Sequence, residues 1–389
     1  MGLTLPIGMI ARRVSEIEPF LAVEVFERAQ ELERQGHSVI HLEFGEPDFE
    51  TPAVIQDALA RAIKDGHTKY TASLGILPLR EAIAEHYHAA YGVEVSPDRI
   101  LITAGTSPAM LLAFTSLLDP GDQVILSDPH YACYPNFLRY AEAEAVYVDV
   151  EENDGFQLRP EAIETRLTPK TKAILLNSPA NPTGTLLSPE RIQAIADMGP
   201  WLVSDEIYHG LVYEGREHSA LEFTERAFVL NGFSKAFAMT GWRLGYLIAP
   251  DSFIRTLQKL HQNFFISAND FVQWAGVTAL RDAKQEVARF RQIFNERRRV
   301  MIDGLRQIGF GVGVEPTGAF YVFADARRFS DRSYDFAFEI LNGAHVGVTP
   351  GIDFGRRGEG YLRFSYANSL DRIQEGLRRI GDYLRSRGR

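Results

Sequence analysis

The stretch FVLNGFSKAFAMTGWRLGYLI, residues 228–248, decides how this chain is read. It opens and closes on short apolar runs, 228–231 and 244–248, with the length and the β-branched or aromatic content of buried strands. Between them Lys235 stands among Phe233, Phe237, Met239 and Trp242, which is not the company of a solvated surface lysine. Burial lowers a lysine pKa readily and yields a neutral amine able to attack a carbonyl, whereas arginine stays charged. Lys235 is therefore a candidate imine-forming lysine just beyond the end of a strand.

Working outward, further apolar runs recur at 100–103, 123–127, 145–150, 173–177 and 201–204, many of them separated by helical stretches. Such alternation predicts an α/β sandwich around a largely parallel sheet, with ligands beyond the carboxyl ends of the strands. After about residue 285 the pattern changes to a long charged helix through Arg297, Arg298 and Arg299, strands near 320–323 and 361–364, and a terminal helix. This predicts a smaller α+β domain. Residues 20–35 have the spacing of an amphipathic helix. The expected division is an N-terminal arm, 1–45, packing with the small domain; a large domain, 46–285; and the small domain, 286–389.

The 389 residues are 45% hydrophobic, enough for two cores, and carry a formal net charge of −10. An acidic chain is repelled by nucleic acid and anionic membranes, so neither is expected as a partner. With one cysteine, Cys133, there can be no intrachain disulfide and no thiolate metal cluster. Near the N-terminus the apolar residues precede Arg12 and Arg13, the reverse of a secretory signal, and Pro6 breaks the myristoylation pattern that Gly2 invites. A cytoplasmic location is expected.

Four groups of polar residues stand at the predicted strand ends. Ala180-Asn-Pro-Thr-Gly184 is a turn that presents the Asn181 amide, although Asn-Pro is also simply a good turn. Asp205 ends an interior strand, where a carboxylate needs a cationic partner, and since neighbouring residues face opposite sides only one of Asp205 and Glu206 can enter a given site. Gly105-Thr106-Ser107-Pro108 leads from a strand into a helix whose first N–H groups suit a phosphate or serve as an ordinary cap. Ser234 and Lys235 are the fourth group.

In this order, with Phe44-Gly-Glu-Pro-Asp-Phe49 and Lys69-Tyr-Thr71 before them and Leu362-Arg-Phe-Ser-Tyr366 after, these blocks resemble the class I aminotransferases, the aspartate-aminotransferase-like branch of the fold-type I pyridoxal-phosphate-dependent enzymes. The resemblance covers nearly the whole chain. It implies a three-layer large domain with a mostly parallel seven-stranded sheet, pyridoxal 5'-phosphate as cofactor, and amino-acid and 2-oxo-acid substrates. It implies further that Lys235 binds the cofactor as a Schiff base and then serves as general base, that Asp205 pairs with the ring nitrogen, and that Asn181 and Tyr208 hydrogen-bond the ring oxygen. Gly105, Thr106, Ser107, Ser234 and Arg243 would hold the phosphate, and Tyr131 would stack on the ring. Tyr70 would reach the phosphate of a neighbouring subunit, so a homodimer with shared sites is implied. Arg363 would grip the substrate α-carboxylate, with Gly45 close by.

The chain departs from its aspartate-specific relatives. One branch has a lysine where Ser107 stands, and the cation of another has no clear counterpart near Gln262, Asn263 and Phe264, with Lys259 the nearest. The aromatics Phe20, Tyr131, Phe264 and Phe265 would suit an apolar or aromatic side chain. Transamination with 2-oxoglutarate or pyruvate as acceptor is the leading expectation. The same lysine and aspartate would serve β-elimination from a sulfur amino acid or a cyclising synthase. A non-catalytic cofactor-binding regulator is disfavoured by the absence of a helix-turn-helix extension.

Overall fold

A computed structural model describes residues 11–387. Expectations for residues 1–10, including those at Gly2 and Pro6, lie outside the described residues. The described residues supply twelve strands: β1 (Ile40–His41), β2 (Ile100–Thr103), β3 (Gln123–Asp128), β4 (Glu144–Asp149), β5 (Thr171–Asn177), β6 (Trp201–Asp205), β7 (Ala227–Gly232), β8 (Gly245–Ile248), β9 (Tyr321–Asp325), β10 (Val346–Gly347), β11 (Thr349–Pro350) and β12 (Tyr361–Ser365).

Seven of them form the main sheet in the order β2-β8-β7-β6-β5-β3-β4. All neighbours are parallel except β8, which runs antiparallel to both β2 and β7. Because β8 runs backwards, the segment linking β7 to β8 turns over at the carboxyl end of β7, where it carries Ser234 and Lys235. The apolar runs of the central strands are buried on both faces, as a sheet covered by helices on each side requires. One face packs against the helices Leu77–Tyr91 and Asp270–Asp282, the other against Thr106–Leu117 and Asp251–Phe264. These are the three layers.

The smaller domain is the antiparallel sheet β11-β12-β9 with the helices Lys284–Ile308, Ser333–Ala344 and Leu370–Ser386 on it. The amphipathic N-terminal helix is Leu21–Arg34; its Val25, Ala29 and Leu32 pack with Leu341 and, through Phe338, on the small domain. β1 pairs in parallel with β10. Arg297 bridges the two parts, donating to both oxygens of Asp48 at 2.6 and 3.0 Å. No helix among the described residues is long and apolar enough to cross a membrane.

Candidate active site

A cavity of about 250 Å³ lies beyond the carboxyl ends of β5, β6 and β7, closed on the far side by β9, β12 and the segment 43–45. Its lining includes Gly45, Thr106, Ser107, Tyr131, Asn181, Asp205, Tyr208, Ser234, Lys235, Arg243 and Arg363. Residues from seven separate stretches of sequence thus meet in one place. Gly105 stands directly behind, and Tyr70 is elsewhere, 80% exposed at the surface.

Lys235 extends into the cavity with its Nζ donating to Gly45 O at 2.7 Å. Burial lowers its pKa to about 8, with Glu46 opposing and Arg363 and Arg243 reinforcing the shift. Asp205 sits at the last position of β6, 5% exposed. Its Oδ2 accepts from Tyr134 Oη at 2.8 Å and its Oδ1 from Ile207 N at 3.2 Å. Burial raises this carboxyl to about 6, against the pull of these hydrogen bonds and of Lys235. The cationic partner expected of Asp205 is not a residue in contact with it. Alternation along the strand sends Glu206 to the opposite side, where Ser204, Ser219, Tyr87 and the Ala220 N–H surround it.

Arg363, on β12, is 2% exposed. Its Nη1 donates to Asn181 Oδ1 at 2.8 Å, and its Nη2 to Glu43 O at 2.6 Å and Thr349 Oγ1 at 3.1 Å, while Nε has no partner. Gly45 lines the same cavity as Arg363; the carbonyl on Arg363 is that of Glu43, and Gly45 packs on Tyr321, whose Oη would lie 2.0 Å from a Cβ there. Tyr208 Oη is 2.9 Å from Tyr321 Oη.

At the opposite end, Gly105 (φ 93°) precedes the helix Thr106–Leu117. Its own N–H is committed to Thr103 O at 2.9 Å, so of the expected phosphate donors it offers only space. A Cβ there would fall 2.5 Å from Arg243 Nη2. The N–H groups of Thr106 and Ser107 open the helix and have no acceptor within it, Pro108 lacking one. Arg243, held at φ 54°, spends Nη1 on Thr240 O at 2.9 Å.

Several residues had escaped the sequence reading. Tyr134 and Asn177 both hold Asp205: the second donates its amide to Asp205 O at 3.0 Å and accepts from Asn181 N at 2.8 Å. The Tyr321 ring lies 4.3 Å from the Arg363 guanidinium. Tyr134 carried no signal of its own, but Asn177, at a strand end beside the Asn181 turn, did. Two expected aromatics move the other way. Phe264 is 56% exposed, and Phe265 packs against the core on the far helical layer, so neither lines the cavity; Phe20 and Tyr131 do, edge to face at 6.0 Å. Cys133 is half-buried beside Tyr131, and burial pushes its thiol up.

A mostly parallel sheet thus brings a half-buried lysine, a buried carboxylate and a buried arginine to one cavity. The sequence profile of aminotransferase class I and II matches residues 37–380, and the chain belongs to that family. It is 42% identical over 380 residues to the (5-formylfuran-3-yl)methyl phosphate transaminase of Methanocaldococcus jannaschii, covering 97% of this chain and 100% of that one. It is 40% identical over 380 residues to the aspartate aminotransferase of Pyrococcus horikoshii, covering 95% and 96%. A solved Methanococcus jannaschii structure, described as similar in its active site to kynurenine aminotransferases, superposes with a TM-score of 0.91 at 42% identity, covering 97% of this chain and 100% of that one. The protein is an aminotransferase, and its family implies pyridoxal phosphate.

Proposed function

We propose that this enzyme transfers the α-amino group of an L-amino acid with an apolar or aromatic side chain to 2-oxoglutarate or pyruvate, by a ping-pong mechanism, as a cytoplasmic homodimer. The observation that carries the reading is the placing of three cations, Lys235, Arg243 and Arg363, around one cavity that also holds a buried carboxylate. The residues fit the cofactor: Asp205 is a buried acid without a cation in contact, Arg363 Nε is a buried donor without an acceptor, and Gly105 leaves a cradle that a Cβ would close.

Pyridoxal phosphate, when bound, supplies the carbonyl for the amine and a ring that accepts electrons as the α-proton leaves. Thr106, Ser107, Ser234 and Arg243 would take its phosphate, Asp205 its protonated ring nitrogen, Asn181 and Tyr208 its ring oxygen, with Tyr131 against its face. Lys235, with a pKa of about 8, is partly neutral near neutral pH and acts first as nucleophile and then as the base at the substrate α-carbon. Tyr134 and Ile207 keep Asp205 aimed. Arg363 binds the α-carboxylate through its guanidinium, with Nη1 exchanging its present partner Asn181.

Among the described residues lining the cavity, Lys235, Arg243 and Arg363 are the only cations. The walls left for a side chain are Phe20, Phe44, Met110 and Phe137. That supports an apolar donor. Dimerisation is supported by Tyr70, Phe264 and Ile266, 80%, 56% and 49% exposed, on adjoining segments joined by Thr71 N to Ser267 Oγ. The boundaries at 45/46 and 285/286 belong to the same proposal, supported by the pairing of β1 with β10 and by the helix that begins at Lys284.

The test is to mix cofactor-loaded enzyme with single amino acids and no 2-oxo acid, following the cofactor absorbance and the oxo acid released. Stoichiometric conversion by aromatic and apolar donors, absent in Lys235→Ala, is the expected result. Catalytic release of ammonia would instead favour the elimination chemistry.

A further inference from the structure

Residues 41–45 carry charge that the chemistry above does not use. Glu43 is fully buried at 0% exposure. Its Oε1 lies 2.6 Å from His41 Nδ1 and its Oε2 has no partner. The main chain of the same residue faces the site: its carbonyl accepts from Arg363 Nη2 at 2.6 Å and from Thr349 Oγ1 at 2.9 Å. Two residues on, Gly45 O accepts from Lys235 Nζ at 2.7 Å. A five-residue segment therefore connects a partly exposed imidazole to two cations of the active site.

The segment is built around the Glu43 carboxylate. Gly347, opposite His41 in the β1–β10 pairing, leaves it room, since a Cβ there would fall 2.2 Å from Glu43 Oε2. Leu42 is tied on both sides, its N to Gly347 O at 3.0 Å and its O to Ser365 N at 2.7 Å. A buried carboxylate with an empty oxygen depends on its one charged neighbour. The other charged groups around this strand are few. Glu33, from the helix Leu21–Arg34, is 3.3 Å from His41 Nε2. Arg372 and Arg379 of the C-terminal helix are spent on Val39 O and Ser38 O, and Glu375 lies with Arg379. His345, next to β10, stacks on His37.

We propose that His41 and Glu43 are positioning residues for Arg363: the imidazolium neutralises the buried Glu43 carboxylate and so keeps the carbonyls of residues 43 and 45 aimed at Arg363 and Lys235. Affinity for the substrate carboxylate then follows the charge on His41. The sign follows from its surroundings. The hydrogen bond to Glu43 raises the His41 pKa above 6.5, with burial opposing and Glu33 assisting. Carboxylate binding is therefore full near pH 6 and declines as pH rises through that higher value. This rests on the proposed role of Arg363.

The test uses cofactor-loaded enzyme and 3-phenylpropanoate, an unreactive carboxylate, with Kd measured from pH 6 to 9 beside an NMR titration of the His41 ring. In the wild type Kd should rise about tenfold over the pH range in which His41 titrates. Glu43→Gln should flatten that rise and return the imidazole to an ordinary titration. His41→Gln should bind weakly at every pH, and the double variant His41→Gln/Glu43→Gln should recover to within about threefold of the wild type at pH 6. That recovery separates positioning from misfolding. A Kd indifferent to His41 titration, or a His41→Gln enzyme that binds like the wild type, overturns the proposal. Arg363→Lys divides the failures. If it weakens the probe while the His41 and Glu43 variants do not, the positioning role alone is wrong; if it leaves Kd unchanged, the reading of Arg363 falls and the proposal with it.

Discussion

At the scale of single residues, the site is assembled from side chains held in states they would not choose in water. Burial places the Asp205 carboxyl at about 6 against an ordinary 3.8. Because the folded-state value is the higher, this group favours the fold fully below the unfolded pKa, and the contribution is lost as pH rises through 6. Cofactor-free Asp205→Asn should therefore gain on the wild type as pH rises from 4 to above 6, by up to about 3 kcal/mol less the cost of the altered hydrogen bonds. Urea unfolding of both apoproteins at pH 4.5 and 7.5 measures it, and a difference that does not change with pH would contradict a buried, unpaired carboxylate. Gly45 is constrained differently. A methyl group there meets Tyr321 Oη at 2.0 Å, so Gly45→Ala should cost about 1–3 kcal/mol and most of the activity, as the carbonyl on Lys235 is displaced. Thermal unfolding together with single-turnover rates would show whether both losses occur.

At the scale of elements, the decisive contact is between two strand ends and a helix start. Gly245, at the beginning of β8, lies against Gly105 so closely that a Cβ would stand 2.7 Å from Gly105 C and 2.9 Å from Thr106 N. The antiparallel strand thus sets where the helix Thr106–Leu117 begins. Gly245→Ala should push that helix start outward and weaken cofactor binding by about tenfold or more, a loss of ~1.4 kcal/mol, while β8 keeps its pairing. Fluorescence titration of the apoenzyme with pyridoxal phosphate checks this; unchanged affinity would mean that the helix start does not hold the phosphate. The central strands of the main sheet were readable because their runs are apolar and buried on both faces. The reversal of β8 was not, since an apolar run looks the same in either direction.

At the scale of the molecule, the two domains face each other across the cavity, with Lys235 and Asp205 on one and Arg363 and Tyr321 on the other. Arg357 spans the seam, its N–H on Asp128 Oδ1 at 3.0 Å and its guanidinium 2.5 Å from Asp149 Oδ2. The surface around Tyr70 is the one where a second copy is expected. If the protein is the homodimer proposed above, Ile266→Lys should convert it from dimer to monomer and lower cofactor affinity, because Tyr70 of each chain would no longer reach its neighbour. Sedimentation velocity with a cofactor titration tests both parts, and a monomeric wild type would remove the shared site.

The layered α/β core, the change of pattern after residue 285 and the residue types at the strand ends are legible in the amino-acid order, because these depend on local periodicity and on chemistry that few side chains can supply. Lys235, Asp205, Asn181, Tyr208 and Arg363 were named from such local signals together with a family resemblance, and the fold brings them to one cavity. The residues that stand behind them emerge from the three-dimensional packing alone. Tyr134 beneath Asp205, Tyr321 across Tyr208, the Glu43 carbonyl on Arg363, and the exclusion of Phe264 and Phe265 all follow from contacts between segments far apart in the chain. Such contacts arise from how strand direction and domain packing bring distant side chains together, and no local pattern of residues encodes them.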